Sequence, residues 1–430
     1  MVNRFIIIIA LLVILPAELF SQSETIENLR KDVIFLTSDS LKGRMYGTIY
    51  EKKAAEYIEH RFSENFVNLL YKSPGQDFII QADEDSLFSQ NIVGIVEGWD
   101  PKLKNQYIVV GAHYDHLGYF ISHINGRDSL QIYRGADDNA SGVAVMLEVA
   151  RMVSAQAFNF RRSVVFVAFG AEEAGMLGSW YFVNRAFSPI DSVSLMVNLD
   201  MVGRAVDRES YHAFTVVPNA HLDVLLKDVS DMPLMLTPKI ESRDYFPSDH
   251  RNFALVGVPT VLFTSKIHSD YHSVRDNHYA INYKSMEHLA HYVFNVIKTA
   301  ANTDDILQRT QFAKDKESTD EIVYSQSEVD IRASYMNGGE KEFLTSWVYH
   351  YLRYPAKAIE DGIQGRVVVD FIVEKNGEIS NVAVSRSVNE MLDAEAIRVI
   401  SVSPKWKPAK IGGKEVRVKI SIPVEFRLKR

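Results

Sequence analysis

The 430-residue sequence predicts an α/β fold, in which helices flank a mainly parallel-stranded mixed sheet, followed by a small α+β domain. Three observations support this prediction. Short continuous runs of Val, Ile and Phe alternate with segments of helical periodicity. Such runs are typical of strands buried on both faces, as in parallel sheets covered by helices. A polar stretch then separates the last hundred residues, and the length allows two or three domains.

The N-terminus predicts an export signal over residues 1–21. Arg4 precedes the apolar run from Phe5 to Ile14, and cleavage is expected near Ser21-Gln22. The run is shorter than the roughly 20 residues that a transmembrane helix needs. We therefore expect a bacterial periplasmic or secreted protein with no stable membrane span after signal removal. An uncleaved membrane anchor is the alternative.

The first domain is predicted over residues 22–300, where the helices have apolar residues at helical spacing and the strands are continuous apolar runs. We expect the segment from Gly118 to Arg134 to be a loop that borders the pocket and favours apolar substrates. The predicted helices are Ile26–Phe35, Glu51–Phe62, Ser141–Val153 and Ser285–Ala300, and the predicted strands are Asn91–Val96, Tyr107–Val110, Val164–Phe169, Ser194–Leu199 and Thr260–Thr264.

Residues 301–328 are predicted to be a polar linker, because they lack apolar periodicity. A second domain is predicted over residues 329–430. From Glu340 to the end the chain carries +4 and the rest carries −12, which supports a separate module. Asn376-Gly377 indicates a hairpin. The predicted elements are helices Glu342–Tyr351 and Leu392–Val402 and strands Gly365–Glu374, Ile379–Ser385 and Val416–Leu428.

The composition argues against several classes of partner and site. The net charge of −8 gives no reason to expect nucleic acid as a partner, because nucleic-acid binders usually carry a basic face. The chain has no cysteine, which excludes disulfides, thiolate zinc sites and a cysteine nucleophile.

Metal-binding side chains follow several of the predicted strands. In open α/β sheets ligands bind beyond the carboxyl ends of the strands. Zinc takes imidazole nitrogen and carboxylate oxygen, and two metals can share a bridging carboxylate and water. The sequence therefore predicts a pair of divalent cations among side chains that follow strands or begin a helix: His113, Asp115, Asp137, Asp138, Glu172, Glu173, Asp200 and His272.

Spacing suggests roles for some of these residues and leaves others open. Asp115 would face the same way as His113 and orient its imidazole. One of Glu172 and Glu173 could bind metal while the other acts as general base.

The residues leave several choices open. Spacing does not choose between Asp137 and Asp138, since either could cap a helix. His268 and His278 compete with His272. Three further histidines are expected at the surface or in loops: His116, His123 and His212.

In order and spacing, these motifs resemble the dizinc exopeptidases of the aminopeptidase Y and bacterial leucyl aminopeptidase type, across residues 24–299. The resemblance implies the zinc-dependent exopeptidase fold and two Zn²⁺ ions. His113, Asp138 and Asp200 would hold one ion, and Asp138, Glu173 and His272 the other.

The resemblance also implies that Asp138 bridges the ions, that the peptide bond after it is cis, and that Glu172 is the general base. Tyr271 is a candidate oxyanion donor. The segment Ser248-Asp249-His250 matches a recurring segment of the family, so His250 could shape the substrate pocket.

The second domain resembles a TonB C-terminal domain over residues 329–428. Tyr354-Pro355, Gly365-Arg366, Asn376-Gly377 and Pro423-Val424 carry this resemblance, which departs from the family pattern at Lys407-Pro408. With no anchor left after signal removal, we expect an interaction module for an envelope protein and not energy transduction. A structural appendage to the first domain is the alternative.

The leading hypothesis is an exported zinc aminopeptidase that acts on peptides. Carboxypeptidase or glutaminyl cyclase activity on the same scaffold is an alternative, although His113 argues against cyclisation because the cyclases resemble variants that lack this histidine. A non-catalytic envelope binding protein is a third hypothesis.

Overall fold

The computed structural model describes residues 24–71, 76–82, 85–124, 127–216, 219–243, 246, 248–304, 307, 309, 323–336, 338–401 and 403–428. The predicted signal peptide lies outside these residues, as does most of the predicted linker. The chain separates into two compact units, and the main boundary falls between Phe312 and Ala313. The domain limits 22–300, 301–328 and 329–430 stay predictions.

The first unit is built on a mixed sheet that contains nine strands within the described residues. Its order is β1-β3-β7-β4-β8-β11-β9-β10, and β2 extends it by pairing with β3. The central strands β7, β4, β8 and β11 run parallel to one another. The strands are β1 (Asn68–Leu69), β2 (Gln76–Ala82), β3 (Asp85–Val96), β4 (Tyr107–His113), β7 (Ser163–Phe169), β8 (Val193–Leu199), β9 (His212–Phe214), β10 (Lys239–Glu241) and β11 (Thr260–Thr264).

Helices cover both faces of this sheet, as predicted. Alternate residues of β4 divide between two apolar clusters: Ile108 and Val110 pack on one face, and Val109 packs on the other. The face with Ile108 carries the longer helices, including the deeply buried α3. The helices are α1 (24–36), α2 (Ile49–Glu64), α3 (Gly142–Ala155), α4 (Leu177–Tyr181), α5 (Ala220–Ser230), α6 (His250–Leu255) and α7 (Tyr283–Asn302).

The segment predicted as a loop at 118–134 is instead a β-hairpin, made of β5 (Tyr119–Ile124) and β6 (Arg127–Ile132). These strands form a separate two-stranded sheet. Tyr119 lies opposite Ile132, and Ile121 lies opposite Leu130, so these side chains share one face. The sequence Asn125-Gly126 between the strands favours tight hairpins and is the signal that the prediction overlooked.

The second unit contains a four-stranded sheet in the order β12-β17-β13-β14 and a small sheet of β15 and β16. Inward-facing residues of β13 and β17 pack with α11 in a core of their own. The predicted helix Glu342–Tyr351 is interrupted by a π-helical segment, Leu344–Val348. The elements are β12 (Tyr324–Ser325), α8 (Glu340–Phe343), α9 (Tyr349–Tyr351), α10 (Ala356–Glu360), β13 (Gly365–Val373), β14 (Ile379–Arg386), α11 (Glu390–Ser401), β15 (Ala409–Ile411), β16 (Lys414–Val416) and β17 (Val418–Phe426).

Within the described part of the chain, no helix combines the length and apolar character that crossing a membrane requires.

Candidate dinuclear metal site

The parallel strands deliver the candidate ligands to one edge of the sheet. His113 is the last residue of β4 and pairs with Phe169 at the end of β7. Glu172 and Glu173 follow β7, and Asp200 directly follows β8. Because these strands are parallel neighbours, their carboxyl ends carry the side chains into one region.

Asp138 enters the same region from the tight turn Ala136–Ser141, which precedes α3. Its peptide bond with Asn139 is cis, as the family resemblance implied. Asp137 points elsewhere: its carboxylate lies 3.0 Å from His268 Nε2 and accepts a hydrogen bond from Ser141. The structure thus brings Asp138, not Asp137, to the candidate site.

The candidate ligands form two groups around Asp138. His113 Nε2 lies 3.2 Å from Asp138 Oδ1 and 3.6 Å from Asp200 Oδ1. On the other side, His272 Nε2 lies 2.9 Å from Asp138 Oδ2 and 3.3 Å from Glu173 Oε2. One carboxylate of Asp138 therefore faces both groups, which is the arrangement that a bridging ligand requires.

Their contacts distinguish His272 from the two other histidines that could occupy the site. His268 is engaged with Asp137, and His278 lies on a separate 3₁₀ turn, so His272 is the histidine that reaches Asp138. The ring of Tyr271 packs against that of His272 with centroids 3.9 Å apart. Tyr271 therefore borders the site, and its role as an oxyanion donor stays a prediction.

The segment Ser248-Asp249-His250 supports the site by a contact that the sequence did not indicate. Ser248 Oγ donates a hydrogen bond of 2.6 Å to Asp200 Oδ2 and accepts one from Asn198. His250 begins α6 and is fully buried. Ser248 is thus a member of this segment that contacts a candidate ligand, and the role of His250 in shaping the pocket stays a prediction.

Asp115 makes a contact that the sequence did not indicate. Its carboxylate lies 3.8 Å from His113 Nδ1, which is too long for a hydrogen bond, whereas its backbone carbonyl lies 3.3 Å from that nitrogen. The two carboxylate oxygens instead accept hydrogen bonds from the backbone N–H groups of Glu172 and Glu173, at 2.9 and 3.1 Å. Asp115 therefore fixes the Glu172-Glu173 turn.

Several acidic groups lie close together at the site, and their burial shifts their pKa values upward. Burial raises the pKa of Asp138 to about 6, and the nearby Glu173 carboxylate adds to the shift. Burial also raises the pKa of Asp249 to about 7 and that of Glu172 well above its usual range. For His113 burial alone would lower the pKa, but Asp200 and Glu172 raise it well above the ordinary value.

The donor set fits a pair of divalent cations. Two sets of three side chains, namely His113, Asp138 and Asp200, and His116, Asp138 and Glu173, each bring three ligand atoms within 4.8 Å of one another. Imidazole and carboxylate are ligands that zinc accepts. Cations would also offset the repulsion among the buried carboxylates.

His116 and His212 were expected at the surface or in loops, and their burial contradicts a surface position. His116 does lie in a loop, but it is fully buried, with Nδ1 2.8 Å from Glu173 Oε1. Burial lowers its pKa to about 4. His212 is on β9, 7% exposed, with Nδ1 3.0 Å from Glu241. The side chain of His123 lies outside the described residues.

Comparisons with known proteins show which families the two units resemble. Residues 91–297 match the family model of peptidase family M28, and residues 350–428 match that of the Gram-negative bacterial TonB protein C-terminal. Aminopeptidase YwaD of Bacillus subtilis (strain 168) is 38% identical over 125 residues, 28% of this chain and 24% of that protein. Leucine aminopeptidase 1 of Arthroderma gypseum is 26% identical over 290 residues, 63% of this chain and 72% of that protein.

The fold is also found among solved structures. The aminopeptidase from Aneurinibacillus sp. strain AM-1 superposes with a TM-score of 0.52 at 18% identity, covering 66% of this chain and 96% of that one. The chain spans between 24% and 34% of the length of the first three curated relatives that it matches. Both the predicted resemblance and the predicted fold class are confirmed. The chain contains a domain of peptidase family M28 followed by a TonB C-terminal domain.

Proposed function

We propose that the chain is an exported zinc aminopeptidase that removes N-terminal residues from peptides. The observation that carries the proposal is the shared position of Asp138, whose two carboxylate oxygens face His113 on one side and His272 on the other. The match to peptidase family M28 and the two aminopeptidase relatives support it.

In this proposal His113, Asp138 and Asp200 hold one zinc ion, and Asp138, Glu173 and His272 hold the other. Zinc ions held there would supply a bound water of lowered pKa and a Lewis acid for the scissile carbonyl. The protein's part is to fix the ligands, and Ser248 does this for Asp200 through its 2.6 Å hydrogen bond.

Glu172 is the proposed general base. Its backbone is held by Asp115, and its side chain lies in a partly buried, acidic environment that raises its pKa well above the usual range. A carboxylate with a raised pKa can take the proton from the attacking water and later deliver it to the leaving amine. Tyr271, beside His272, is the proposed donor to the oxyanion.

The residues around the site bear on which end of a peptide it would bind. The carboxylates of Asp138, Glu173 and Asp200 would be offset by the two cations that they hold, so their charge does not decide this choice. The buried Arg44 cannot easily bind a substrate carboxylate, because its guanidinium donates to four backbone carbonyls. The engagement of Arg44 with these carbonyls supports an aminopeptidase rather than a carboxypeptidase.

The TonB C-terminal domain is proposed to bind an envelope protein. The strand β14 is at one end of the order β12-β17-β13-β14, so it offers an edge that could pair with an extended segment of a partner. Partner capture should be lost when residues 328–430 are removed. Unchanged capture by the truncated chain would leave this domain as a structural appendage.

The peptidase proposal is tested with the purified mature chain and synthetic peptides. The peptides carry free or blocked N-termini, free or blocked C-termini, or N-terminal Gln, and are incubated with and without a chelator. We expect stepwise loss of single N-terminal residues, only from free amines and only with metal, measured by mass spectrometry. Trimming from the C-terminus, or loss of ammonia from Gln, would replace the aminopeptidase with another enzyme on the same site.

A further inference from the structure

His116 occupies a confined position next to the candidate ligands. It is fully buried in the loop after β4, and its Nδ1 lies 2.8 Å from Glu173 Oε1 and 3.9 Å from Asp138 Oδ2. Its ring meets that of His272 edge to face, with centroids 5.6 Å apart. A Cβ atom at Gly135 would lie 2.5 Å from His116 Cδ2, so the backbone at Gly135 also packs closely against the ring.

The 2.8 Å contact defines a direction of hydrogen bonding. As a metal ligand, Glu173 would be an ionised carboxylate that only accepts hydrogen bonds, and in that state His116 Nδ1–H is the donor to Glu173 Oε1. The other oxygen of this carboxylate, Oε2, lies 3.3 Å from His272 Nε2. The two oxygens of Glu173 therefore have separate partners, and only Oε2 faces the histidine assigned to the second zinc ion.

We propose that His116 is a positioning residue, which holds Glu173 Oε1 so that Oε2 is turned towards the second zinc position beside His272. The inference rests on the proposed function, because Glu173 is a ligand only if the site binds metal. Hydrogen bonds to ligating carboxylates orient them before the metal arrives, and the loss of such a partner typically weakens metal binding 10- to 100-fold.

The structure offers matched variants for a test. His116→Ala removes the donor, whereas His116→Asn retains a side-chain N–H near the position of Nδ1. His212→Ala is the control, because His212 also places Nδ1 3.0 Å from a glutamate oxygen, that of Glu241, but belongs to neither set of candidate ligands. All variants are made in the full chain.

The measurement is the zinc affinity of each site, by competition with a chromophoric chelator, together with the visible absorption spectrum of the cobalt-substituted protein. We expect His116→Ala to weaken one of the two sites by about 10- to 100-fold. We expect His116→Asn to stay within a few-fold of the wild-type affinity with an unchanged cobalt spectrum, and His212→Ala to leave both sites unaffected.

Two results would overturn the inference while leaving the proposed function intact. Equal affinities in wild type and His116→Ala would mean that Glu173 needs no positioning by His116. A loss in His116→Asn as large as in His116→Ala, with an altered cobalt spectrum, would mean that His116 is itself a ligand. If the wild-type chain bound no zinc, the proposed function would fail and the inference with it.

Discussion

Glu172 and Glu173 are adjacent in the chain, yet their side chains have different surroundings. Glu173 faces His116 and His272. The pKa of Glu172 is raised by burial and by Asp249, whereas His113 acts to lower it. Because Asp115 fixes the backbone of both residues, the proposed division between a ligand, Glu173, and a free carboxylate, Glu172, depends on this one turn.

Replacing Glu172 by Gln should lower kcat by about 10²- to 10⁴-fold, because the amide cannot accept the proton of the attacking water. Zinc content should stay at the wild-type level, since Glu172 is not an assigned ligand. The measurements are steady-state kinetics on a cleavable peptide and elemental analysis of the same sample. Full hydrolysis by this variant would remove Glu172 as the base.

Replacing Ser248 by Ala should weaken zinc binding at the His113–Asp200 position by about 10- to 100-fold, since Asp200 loses the donor that orients it. Chelator competition measures this loss. Ser230→Ala on α5 is the control, because the Ser230 hydroxyl bonds to Leu226 within its own helix and to Tyr292. Equal zinc affinity in the Ser248 variant and wild type would show that Asp200 needs no such support.

At the residue scale, the sequence predicted which residue types would lie together at the candidate site, but it did not predict every contact between them. The choice between Asp137 and Asp138 depends on His268, about 130 residues later, which binds the first of them. His116 could not be recognised because its burial depends on distant segments: its backbone N–H bonds to Arg44, and Gly135 closes over its ring. No local pattern reports such contacts.

At the scale of elements, the prediction succeeded where side chains repeat over a long segment. The strand at Thr260–Thr264 has the predicted limits, and α3 and α7 lie within a few residues of theirs. Strands β9 and β10 have three residues each, too few for a pattern. The prediction of a loop at 118–134 is wrong, because the apolar residues of this segment lie on the paired strands β5 and β6.

The start of α2 contains a buried acid that should make stability depend on pH. Burial raises the pKa of Glu51 to about 8, with a further contribution from Asp115. Because the folded-state pKa is above the usual value near 4.5, the proton is bound more tightly in the folded state. The associated stability is present below about pH 4.5 and is lost as the pH rises through 8.

Replacing Glu51 by Gln should therefore reduce this loss, which is at most about 1.4 kcal/mol per pH unit between the two pKa values. Thermal unfolding of chelator-treated protein from pH 5 to pH 9 measures the difference from wild type. Glu56→Gln, at an exposed position of the same helix, is the control. A constant difference between Glu51→Gln and wild type across this range would contradict the prediction.

At the scale of the whole molecule, the two units share no hydrophobic cluster among the residues that the structure describes. The clusters of the first unit lie around the large sheet and its helices, and that of the second lies around β13, β17 and α11. Each unit is expected to unfold cooperatively with its own hydrophobic residues. We therefore do not expect a single unfolding temperature for the whole chain. The candidate ligands all belong to the first unit.

Zinc should accordingly raise the temperature of one calorimetric transition and leave the other unchanged. A ligand stabilises only the unit whose folded form binds it, by about 2.7 kcal/mol at a free concentration 100 times Kd. Differential scanning calorimetry at increasing zinc concentrations tests this prediction, with magnesium as the comparison ion. An equal shift of both transitions would mean that the two units unfold together.

The β5–β6 hairpin lies between His113 and Asp138 in the chain and pairs with neither edge of the large sheet. Residues on its two strands can therefore be exchanged without moving a strand that ends at a ligand. One of its faces exposes Tyr119, Ile121 and Leu130. The hairpin is thus a natural place to graft loops of other lengths, in libraries that seek new peptide preferences while the catalytic centre is inherited unchanged.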